Sequence, residues 1–402
     1  MIVKALHYRT GEPVAIEVKA GRIARIVPAE ADSPERDALP YAAPGLIDLQ
    51  INGFAGYDFN RLPISPELPG TVVRELWREG VTGSYPTVVT NDSKAIATQL
   101  AAIAEACERD AAAAAGIAGI HLEGPFISPE DGARGAHSLD YVRAPDWELF
   151  CRWQEAAGGR IAILTLSPEW EGSAGFIRRC TDNGVTVSIG HTAATPEQIR
   201  EAVASGARMS THFGNGAHLM LPRHPNYLWE QLAQDELWSC LIADGFHVPD
   251  QVLQVVLKVK GPKAMLVSDA VYLSGMPPGE YTTHIGGRVV LTPQGRLHLA
   301  EQERLLAGSA QMLLWGIRQM TDRGIASLAD AWDMASVRPA GFMGLPAAAG
   351  LSAGAPADFV LFRSAGGELR IEETVKAGER VYRDEHGRAS DGRFHTEQGE
   401  RQ

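Results

Sequence analysis

The sequence predicts an α/β protein built on a (β/α)8 barrel, with a small β-sandwich domain formed by both ends of the chain. From Gly45 onward, short apolar strands alternate with helical stretches, which is the pattern of a parallel sheet. Eight such strands can be counted, the number that closes a barrel. Strand-like segments without a helical stripe lie before and after this region, so we expect the two ends to pair.

Length and composition narrow the class of protein. A chain of 402 residues fits one large barrel or two domains, and 45% hydrophobic with 21% charged residues is ordinary for a globular protein. No apolar run approaches the roughly 20 residues of a membrane-spanning helix, so we expect no transmembrane segment. The net charge of −12 argues against nucleic acid and anionic membranes as partners, because basic patches hold both. We expect a small-molecule substrate, with a locally basic site if that substrate is anionic.

The amino terminus and the cysteines indicate a cytoplasmic protein. The first residues, MIVKALHYRT, lack the basic stretch, apolar core and cleavage site of a secretory signal. The four cysteines stand far apart in sequence, which is typical of a reduced protein and gives no zinc-finger pattern: Cys107, Cys151, Cys180 and Cys240. Any metal is therefore expected to be held by histidine and carboxylate ligands.

Both ends of the chain are predicted to form the small β domain. Residues 1–43 contain the strand-like segments IVKALHY, VAIEVKAG and RIARIVPA, and residues 346–388 contain ADFVLFRS and GELRIEETVKAGERVYRD. Because these segments flank the barrel, we expect them to pair into one sandwich. Residues 389–402 are predicted to be a polar tail.

The barrel itself is predicted over residues 44–345. Its strands are expected at Gly45–Gln50, Val81–Thr87, Ile117–Glu123, Ile161–Leu166, Val185–Gly190, Ala207–His212, Ser239–Asp244 and Lys263–Asp269. The alternative is an open doubly wound sheet, but GLIDLQINGFAG lacks the G-x-G-x-x-G phosphate loop of that fold. The clearest helix begins at Pro196, with Thr195 as its N-cap and Gln198 completing a capping box. Gly206 is expected to end this helix.

Polar residues at the carboxyl ends of the strands are the candidates for chemistry, because barrel active sites lie at that end. They are Asp48, Gln50, Asn52, His121, Glu123, His191, Thr192, Thr211, His212, Asp244, His247, Ser268 and Asp269. A single histidine in an apolar strand is usually structural, so the argument depends on the set. His191 and His212 end adjacent strands, and Glu123 ends a nearby one. Two imidazoles and one carboxylate suit a zinc-type site with one position open for water.

Several segments occur in an order that is found in one enzyme family: PGLIDLQINGFAGYDFN, GIHLEGPFISP, GAH, SIGHTAAT, STHFGN, IADGFHV, LVSDA and LAGSA. In these motifs the sequence resembles the N-acetylglucosamine-6-phosphate deacetylases of the amidohydrolase superfamily, from Pro44 to Asp358. The resemblance implies a (β/α)8 barrel, a small β-sandwich formed by both ends, and a homodimer. It also implies hydrolysis of N-acetylglucosamine 6-phosphate to glucosamine 6-phosphate and acetate.

The end of strand one bears on the number of metal ions. Many amidohydrolases carry His-x-His there and bind two metals, whereas this chain has Gln50 and Asn52. Amides are poor transition-metal ligands beside imidazole. We therefore expect one divalent metal per chain, preferably zinc, with Fe2+, Mn2+ or Co2+ as alternatives. Its expected ligands are Glu123, His191 and His212.

Asp269 ends strand eight, where the resemblance places the proton-shuttling aspartate. A carboxylate beside metal-activated water can take a proton and return it to the departing amine. The alternative interpretation is that Asp269 caps a helix. His121 also has two interpretations: it either assists a second ion, or packs beside Glu123 and orients it.

The resemblance further implies a set of substrate contacts: Ala136, His137, Asn215, Gly216, Arg223, His247, Leu306, Ala307 and Gly308. His247 is expected to stabilise the developing oxyanion or to hold the phosphate. Arg223, eleven residues beyond His212, has the spacing of the phosphate-binding arginine. A guanidinium grips phosphate through two parallel hydrogen bonds. The resemblance implies that this arginine reaches across a dimer interface.

The segment from Asn215 to Asn226 departs from the family pattern. The family commonly has Asn-Ala-Met where this chain has Asn-Gly-Ala, and PRHPN is unlike the usual loop. His218 and His224 either add contacts to an anionic group or are plain surface residues. Alternative functions are therefore deacylation of another N-acyl amino sugar, such as the galacto isomer, or of an N-acyl amino acid. A barrel kept only as a binding module is disfavoured, because the metal ligands and the aspartate are all present.

Overall fold

The computed structural model describes residues 1–283 and 287–385. The predicted polar tail, residues 389–402, lies outside the described residues. The strands are β1 (Ile2–His7), β2 (Pro13–Lys19), β3 (Arg22–Pro28), β4 (Tyr41–Pro44), β5 (Leu46–Ile51), β6 (Gly53–Phe54), β7 (Tyr57–Asp58), β8 (Val81–Val89), β9 (Ile120–Glu123), β10 (Ile161–Leu166), β11 (Thr186–Ile189), β12 (Met209–Ser210), β13 (Trp238–Leu241), β14 (Ala264–Leu266), β15 (Gly279–Thr283), β16 (Gly287–Leu291), β17 (Leu297–Leu299), β18 (Gln302–Leu306), β19 (Phe359–Ala365), β20 (Glu368–Lys376) and β21 (Glu379–Arg383). The helices are α1 (Ser33–Ala38), α2 (Leu68–Arg78), α3 (Ser93–Arg109), α4 (Ala111–Gly116), α5 (Trp147–Ala156), α6 (Ser173–Asp182), α7 (Pro196–Ala204), α8 (Tyr227–Ala233), α9 (Asp250–Lys260), α10 (Leu313–Asp322), α11 (Leu328–Met334) and α12 (Val337–Phe342).

Eight parallel strands form the barrel, in the order β5, β8, β9, β10, β11, β12, β13 and β14. The two outer strands of this sheet meet at their carboxyl ends. Ile51 pairs in parallel with Ala270, and the Asp269 amide donates a hydrogen bond of 2.9 Å to the Gln50 carbonyl. The sheet therefore closes on itself, and the predicted (β/α)8 barrel is confirmed.

The helices pack around the outside of the barrel through one large apolar cluster. Helix α7 forms as predicted: Thr195 is its N-cap, and the capping box with Gln198 has both of its hydrogen bonds. Inside the barrel a second apolar cluster includes Ile47, Tyr85 and Met265, so the lower part of the barrel is filled by side chains. Among the described residues, none of the helices is both long enough and apolar enough to cross a membrane.

Strands from both ends of the chain lie in one seven-stranded sheet, in the order β21, β20, β19, β4, β1, β2 and β3. The two ends join where β19 pairs antiparallel with β4, with Phe359 opposite Pro44. Tyr8 links this sheet to helix α11, because its hydroxyl donates to Asp333 over 2.7 Å. The predicted β module formed by both termini is thus confirmed, with all its strands in a single sheet.

A four-stranded antiparallel sheet, β15 to β18, lies between the last barrel strand and α10, and the sequence analysis assigned no structure there. It has a small apolar core of its own that includes Leu273, Val289 and Leu297. Its strands are short and most of their residues are half-buried or exposed, so hydrophobic periodicity marks them weakly. Leu306, one of the predicted substrate contacts, is the last residue of β18.

Candidate metal centre and active site

Three potential metal ligands meet at the carboxyl end of the barrel. Glu123 ends β9, His191 lies two residues after β11, and His212 lies two residues after β12. Their ligand atoms all lie within 4.8 Å of one another. Nε2 of His212 lies 3.1 Å from Glu123 Oε1, and Nε2 of His191 lies 3.3 Å from the same oxygen. All three residues are at most 7% exposed.

The hydrogen bonds around His191 orient its free nitrogen towards this group. Its Nδ1 lies 3.0 Å from the Ala133 carbonyl oxygen, which can only accept, so the ring proton belongs on Nδ1. The Nε2 lone pair then faces Glu123 Oε1 and, at 3.0 Å, His212 Nε2. Three such electron-pair donors would repel one another unless a proton or a metal ion lies between them. The donor set of two imidazoles and one carboxylate fits a divalent metal ion.

Electrostatics hold Glu123 in its ionised form. Burial opposes its ionisation, but hydrogen bonds and charges from His191 and His212 outweigh burial and keep the pKa of Glu123 well below its usual value. The same pairing acts on His212. Burial lowers its pKa, yet the Glu123 carboxylate raises it above the ordinary value on balance. Metal binding requires the ionised carboxylate and the neutral imidazole, so a metal ion bound here would displace any proton shared by Glu123 and His212.

The backbone is strained at the same positions. His191, His212 and Asp269 have φ of 48°, 26° and 47°, and they are three of the six non-glycine residues described with positive φ. A left-handed conformation costs such residues on the order of 1–3 kcal/mol and persists only where the surroundings hold it. The strain turns each side chain into the barrel mouth directly after its strand.

Two glycines pack against the ring of His191 from different loops. A Cβ added to Gly216, which has φ of +56°, would lie 2.6 Å from His191 Nδ1. A Cβ added to Gly135, with φ of +60°, would lie 3.1 Å from His191 Cε1. Both positions therefore need glycine for their backbone conformation and for the space that the imidazole occupies.

The amides at the end of β5 act as hydrogen-bond donors. Gln50 donates from Nε2 to Glu123 Oε1 over 2.9 Å, and Asn52 donates from Nδ2 to Asp269 Oδ1 over 2.8 Å. An amide nitrogen that points at a carboxylate offers no lone pair to a metal ion. Gln50 and Asn52 therefore orient the two carboxylates.

Asp269 lies half-buried at the barrel mouth, three residues beyond β14. Burial, and then the charge of Glu123, raise the pKa of Asp269 to about 6. The next helix, α10, starts only at Leu313. Asp269 therefore caps no helix, and its carboxylate is free to act in the site.

His121 does not join the ligand group. Its Nδ1 lies 3.0 Å from the Leu49 carbonyl oxygen, and its Nε2 lies 2.7 Å from Thr165 Oγ1. Both ring nitrogens are thus engaged below the mouth of the barrel. Burial lowers the pKa of His121 to about 4, so the ring is neutral. This geometry favours the packing interpretation over assistance to a second ion.

Two further predicted histidines border the centre. Nε2 of His137 lies 3.3 Å from Nε2 of His191, and the two rings meet edge to face. His247 is fixed by Asp244, whose Oδ2 lies 2.6 Å from His247 Nδ1. Burial opposes ionisation of Asp244, but the hydrogen bond and charge of His247 lower the Asp244 pKa. Ala136 is exposed immediately beside His137.

The remaining predicted contacts lie in two loops. Asn215 donates from Nδ2 to the His212 carbonyl over 3.1 Å, so it buttresses the turn at that ligand. Leu306, Ala307 and Gly308 are half-buried, and Gly308 packs against Val271, which leaves no room for a Cβ. Arg223 is exposed and has no ion-pair or hydrogen-bond partner in residues 1–283 and 287–385. No contact among these described residues brings it next to the ligand group.

Two further carboxylates near the site, Asp48 and Glu169, make hydrogen bonds that the sequence did not predict. Asp48 is fully buried, and its Oδ1 accepts from the Ser268 amide over 3.1 Å across the seam between β5 and β14. Burial raises the pKa of Asp48 to about 7. Glu169 accepts from Ser167 Oγ over 2.6 Å and from the Ala193 amide over 2.8 Å, which ties the loops after β10 and β11 together. Asp48 lies within a predicted strand and Glu169 follows one, so position along the strands was the available signal.

Comparisons with known proteins agree with this geometry. The amidohydrolase family model matches residues 41–381. N-acetylglucosamine-6-phosphate deacetylase from Danio rerio is 33% identical over 357 residues, which cover 85% of this chain and 84% of that protein. The enzyme of the same name from Bacillus subtilis (strain 168) is 34% identical over 250 residues, and the match spans 62% of its length. N-acetylgalactosamine-6-phosphate deacetylase from Escherichia coli O157:H7 is 31% identical and is covered over 74% of its length.

A solved structure shows the same architecture. The crystal structure of N-acetyl-D-glucosamine-6-phosphate deacetylase from Mycobacterium smegmatis is 27% identical to this chain and superposes with a TM-score of 0.82. The superposition covers 95% of this chain and 100% of that chain. The similarity therefore includes both the barrel and the sheet formed by the two termini.

Proposed function

Because this chain belongs to the amidohydrolase family, and within it to the N-acetylglucosamine-6-phosphate deacetylases, we propose that it removes the acetyl group from an amino-sugar phosphate. The preferred substrate is N-acetylglucosamine 6-phosphate, and the products are glucosamine 6-phosphate and acetate. The observation that carries the proposal is the buried group of Glu123, His191 and His212, with the Asp269 carboxylate at the same barrel mouth. These groups are sufficient for metal-assisted hydrolysis of an amide.

Glu123, His191 and His212 would hold one divalent metal ion, which we propose to be zinc. When bound there, the metal would polarise the amide carbonyl and activate water for attack near neutral pH. Gln50 would keep Glu123 in position through the Nε2 hydrogen bond to Oε1. Three protein ligands would leave a coordination position for water or substrate, as in catalytic zinc sites.

Asp269 would serve as the proton carrier. Its carboxylate would take a proton from the attacking water and deliver it to the nitrogen of the departing amine. Asn52 holds Oδ1 of Asp269, so the other carboxylate oxygen, Oδ2, is the one available for the proton. The half-buried setting limits competing water around the carboxylate.

Substrate binding is proposed for the residues that surround the centre. His137 borders the metal ligands directly, and the Asp244 pair keeps His247 oriented towards the carbonyl or the phosphate. The other proposed contacts are Ala136, Asn215, Gly216, Leu306, Ala307 and Gly308. Together they would hold the sugar so that its N-acetyl group faces the metal and Asp269.

Arg223 is proposed to bind the phosphate across a homodimer interface. Its guanidinium is exposed and unpaired among the described residues. Leu219 and Met220, which are 87% and 88% exposed, precede it in the same loop. Exposed apolar residues of this size favour burial against another chain, and Arg223 would then reach the site of the second copy.

We also propose the division of the chain into a terminal β domain (residues 1–43 and 346–388) and a barrel (residues 44–345). A reduced, cytoplasmic compartment is proposed as well. Its support is that all four cysteines are free thiols, with Cys107, Cys180 and Cys240 buried.

One observation favours a second substrate. The loop from Asn215 to Asn226 departs from the common family sequence, and one relative at 31% identity is a deacetylase for N-acetylgalactosamine 6-phosphate. The two sugars differ in the configuration of a single hydroxyl, which a changed loop could distinguish. The galacto isomer is therefore the second candidate.

Acetate release from three compounds tests the proposal: N-acetylglucosamine 6-phosphate, its galacto isomer, and unphosphorylated N-acetylglucosamine. We expect the highest kcat/KM for the first compound and the lowest for the sugar without phosphate. Preference for the galacto isomer would select the second candidate. Equal rates with and without phosphate would contradict the sugar-phosphate assignment, and release from none of the three by metal-loaded protein would contradict the deacetylase function.

A further inference from the structure

Two loops contact the ring of His191 and carry most of the proposed substrate contacts. The β9 loop (residues 124–146) includes Gly135, and the β12 loop (residues 211–226) includes Gly216. The β9 loop is tied to the metal ligand a second time, because the Ser128 amide donates to the His191 carbonyl over 2.8 Å. The relative placement of these loops therefore defines the wall of the site.

His218 joins the two loops. Its Nε2 lies 3.0 Å from Glu130 Oε2 in the β9 loop. Its backbone amide donates to the Tyr227 hydroxyl over 2.8 Å, and its Nδ1 lies 3.0 Å from that hydroxyl. The backbones also pack closely, since a Cβ added to Gly132 would lie 3.0 Å from His218 Cα.

A neutral His218 side chain can satisfy all three contacts at once. The Tyr227 oxygen accepts the His218 amide proton, so its own hydroxyl proton is free to be donated to Nδ1. The proton of neutral His218 then lies on Nε2 and is donated to Glu130. Each of the three contacts then pairs a donor with an acceptor, so together they favour one placement of the histidine.

The hydrogen bonds between His218 and Tyr227 close a small loop, residues 219–226, at the point where it begins and ends. Tyr227 is 5% exposed and is the first residue of α8. Residues 219–226 begin directly after His218 and end directly before Tyr227, and these two flanking residues are hydrogen-bonded to each other. This is the geometry of an Ω-loop. Within this loop Asn226 donates from Nδ2 to the Pro222 carbonyl over 3.0 Å. Arg223 lies at the exposed side of the loop.

We propose that His218 is a positioning residue that closes the 219–226 loop on Tyr227 and fixes it to the β9 loop through Glu130, so that Arg223 is presented in a restricted set of conformations. This inference rests on the proposed function for its effect on substrate. A loop that is pinned at its base loses less conformational entropy when its arginine binds an anion. His218 therefore sets affinity for the phosphate group without touching the reacting atoms.

Steady-state kinetics of His218→Phe and Tyr227→Phe test the effect on substrate. Each variant keeps an aromatic ring and removes the shared hydrogen bonds. We expect KM for the phosphorylated sugar to rise about five- to tenfold, as for the loss of one or two hydrogen bonds, while kcat changes by less than about twofold. KM for the sugar without phosphate should stay unchanged. His224→Ala is the matched control, because His224 is an exposed histidine of the same loop without a partner among the described residues.

Hydrogen exchange of the amides of residues 219–226 tests loop closure independently of catalysis. Exchange should be faster in His218→Phe and Tyr227→Phe than in the wild type and in His224→Ala. Unchanged exchange in both variants would overturn the closure, and faster exchange with unchanged KM would overturn the role in affinity. If the wild type does not hydrolyse the sugar phosphate, the proposed function and the role in affinity both fail, whereas the exchange result still decides whether His218 closes the loop.

Discussion

Asn52 donates a hydrogen bond of 2.8 Å from Nδ2 to Oδ1 of Asp269, across the seam where the barrel closes. The contact gives a physical role to a residue that stands where many amidohydrolases carry a metal-binding histidine. It favours the charged form of the carboxylate, which burial and the Glu123 charge oppose. It also leaves Asn52 Oδ1 buried without a hydrogen-bond partner in the described part of the chain.

We expect Asp269→Asn to keep the fold and the metal while kcat falls on the order of 10²–10⁴-fold, because an amide cannot carry the proton. KM should change little, since binding contacts remain. The measurement is steady-state kinetics on protein whose metal content and near-UV circular dichroism match the wild type. Near-normal turnover in such a preparation would assign the proton transfer to another residue.

Metal stoichiometry is the next prediction. We expect one firmly bound equivalent per chain, because Gln50 and Asn52 point amide hydrogens at carboxylates and His121 is engaged at both nitrogens. Elemental analysis after dialysis measures it. His212→Ala should lose both the metal and the activity, whereas His121→Asn should still bind one equivalent of metal per chain. Two tightly held equivalents, with full activity only at two, would refute a single-metal centre.

The two glycines of the β12 loop provide a matched pair. Gly216→Ala places a Cβ 2.6 Å from His191 Nδ1 at φ of +56°, whereas Gly214→Ala, at φ of +91°, meets no atom within 4 Å. Both variants carry backbone strain, but only the first displaces the ring of His191. We expect Gly216→Ala to weaken metal affinity at least about tenfold, which is the range seen when the surroundings of a metal ligand are disturbed. Metal affinity in Gly214→Ala should stay near the wild-type value. Titration with a competing chelator measures this, and equal affinities in the two variants would contradict the argument.

The fold and the grouping of Glu123, His191 and His212 could be predicted because local pattern and chemistry agree at those positions. The strand ends at Glu123, His191 and His212 are marked by apolar runs followed by ligand residues, and the capping box at Thr195 is a local signal. The four-stranded insertion could not be predicted, since its strands are short and partly exposed. Long-range contacts were also missed. Nothing local in the sequence pairs His218 with Glu130, because the contact depends on how two loops fold over the barrel mouth.

Asp48 leads to a prediction on pH dependence. Burial raises its pKa in the folded chain to about 7 from an ordinary value of 3.8. The folded state therefore binds more protons than the unfolded state between about pH 4 and pH 7. Because of this, the free energy of unfolding falls on the order of a few kcal/mol as pH rises through this window. Asp48→Asn should flatten that slope. Urea unfolding at about pH 5 and about pH 8 measures it, with exposed Asp182→Asn as the control. An equal change in the free energy of unfolding with pH in the wild type and in Asp48→Asn would show that the pKa of Asp48 is not raised in the folded protein.

The last prediction concerns phosphate recognition by an acidic protein with a net charge of −12. A dianionic substrate requires positive groups at the site, and Arg223 is an exposed guanidinium without a partner among the described residues. Loss of a charge-assisted contact costs about 1.5–3 kcal/mol, so Arg223→Ala should raise KM for the phosphorylated sugar roughly tenfold to a hundredfold. KM for the phosphate-free sugar should stay near the wild-type value.

Arg223→Lys separates charge from geometry, because a lysine keeps the charge but not the paired hydrogen bonds of a guanidinium. We expect an intermediate KM for this variant. If the arginine acts across a dimer interface, a mixture of Arg223→Ala and Asp269→Asn chains should regain activity. Hybrid dimers in that mixture hold one site that combines an intact aspartate with the arginine of the second copy. Activity no greater than the sum of the two separate variants would place the arginine in its own subunit's site. An equal rise in KM for both sugars would instead show that the 219–226 loop does not bind phosphate.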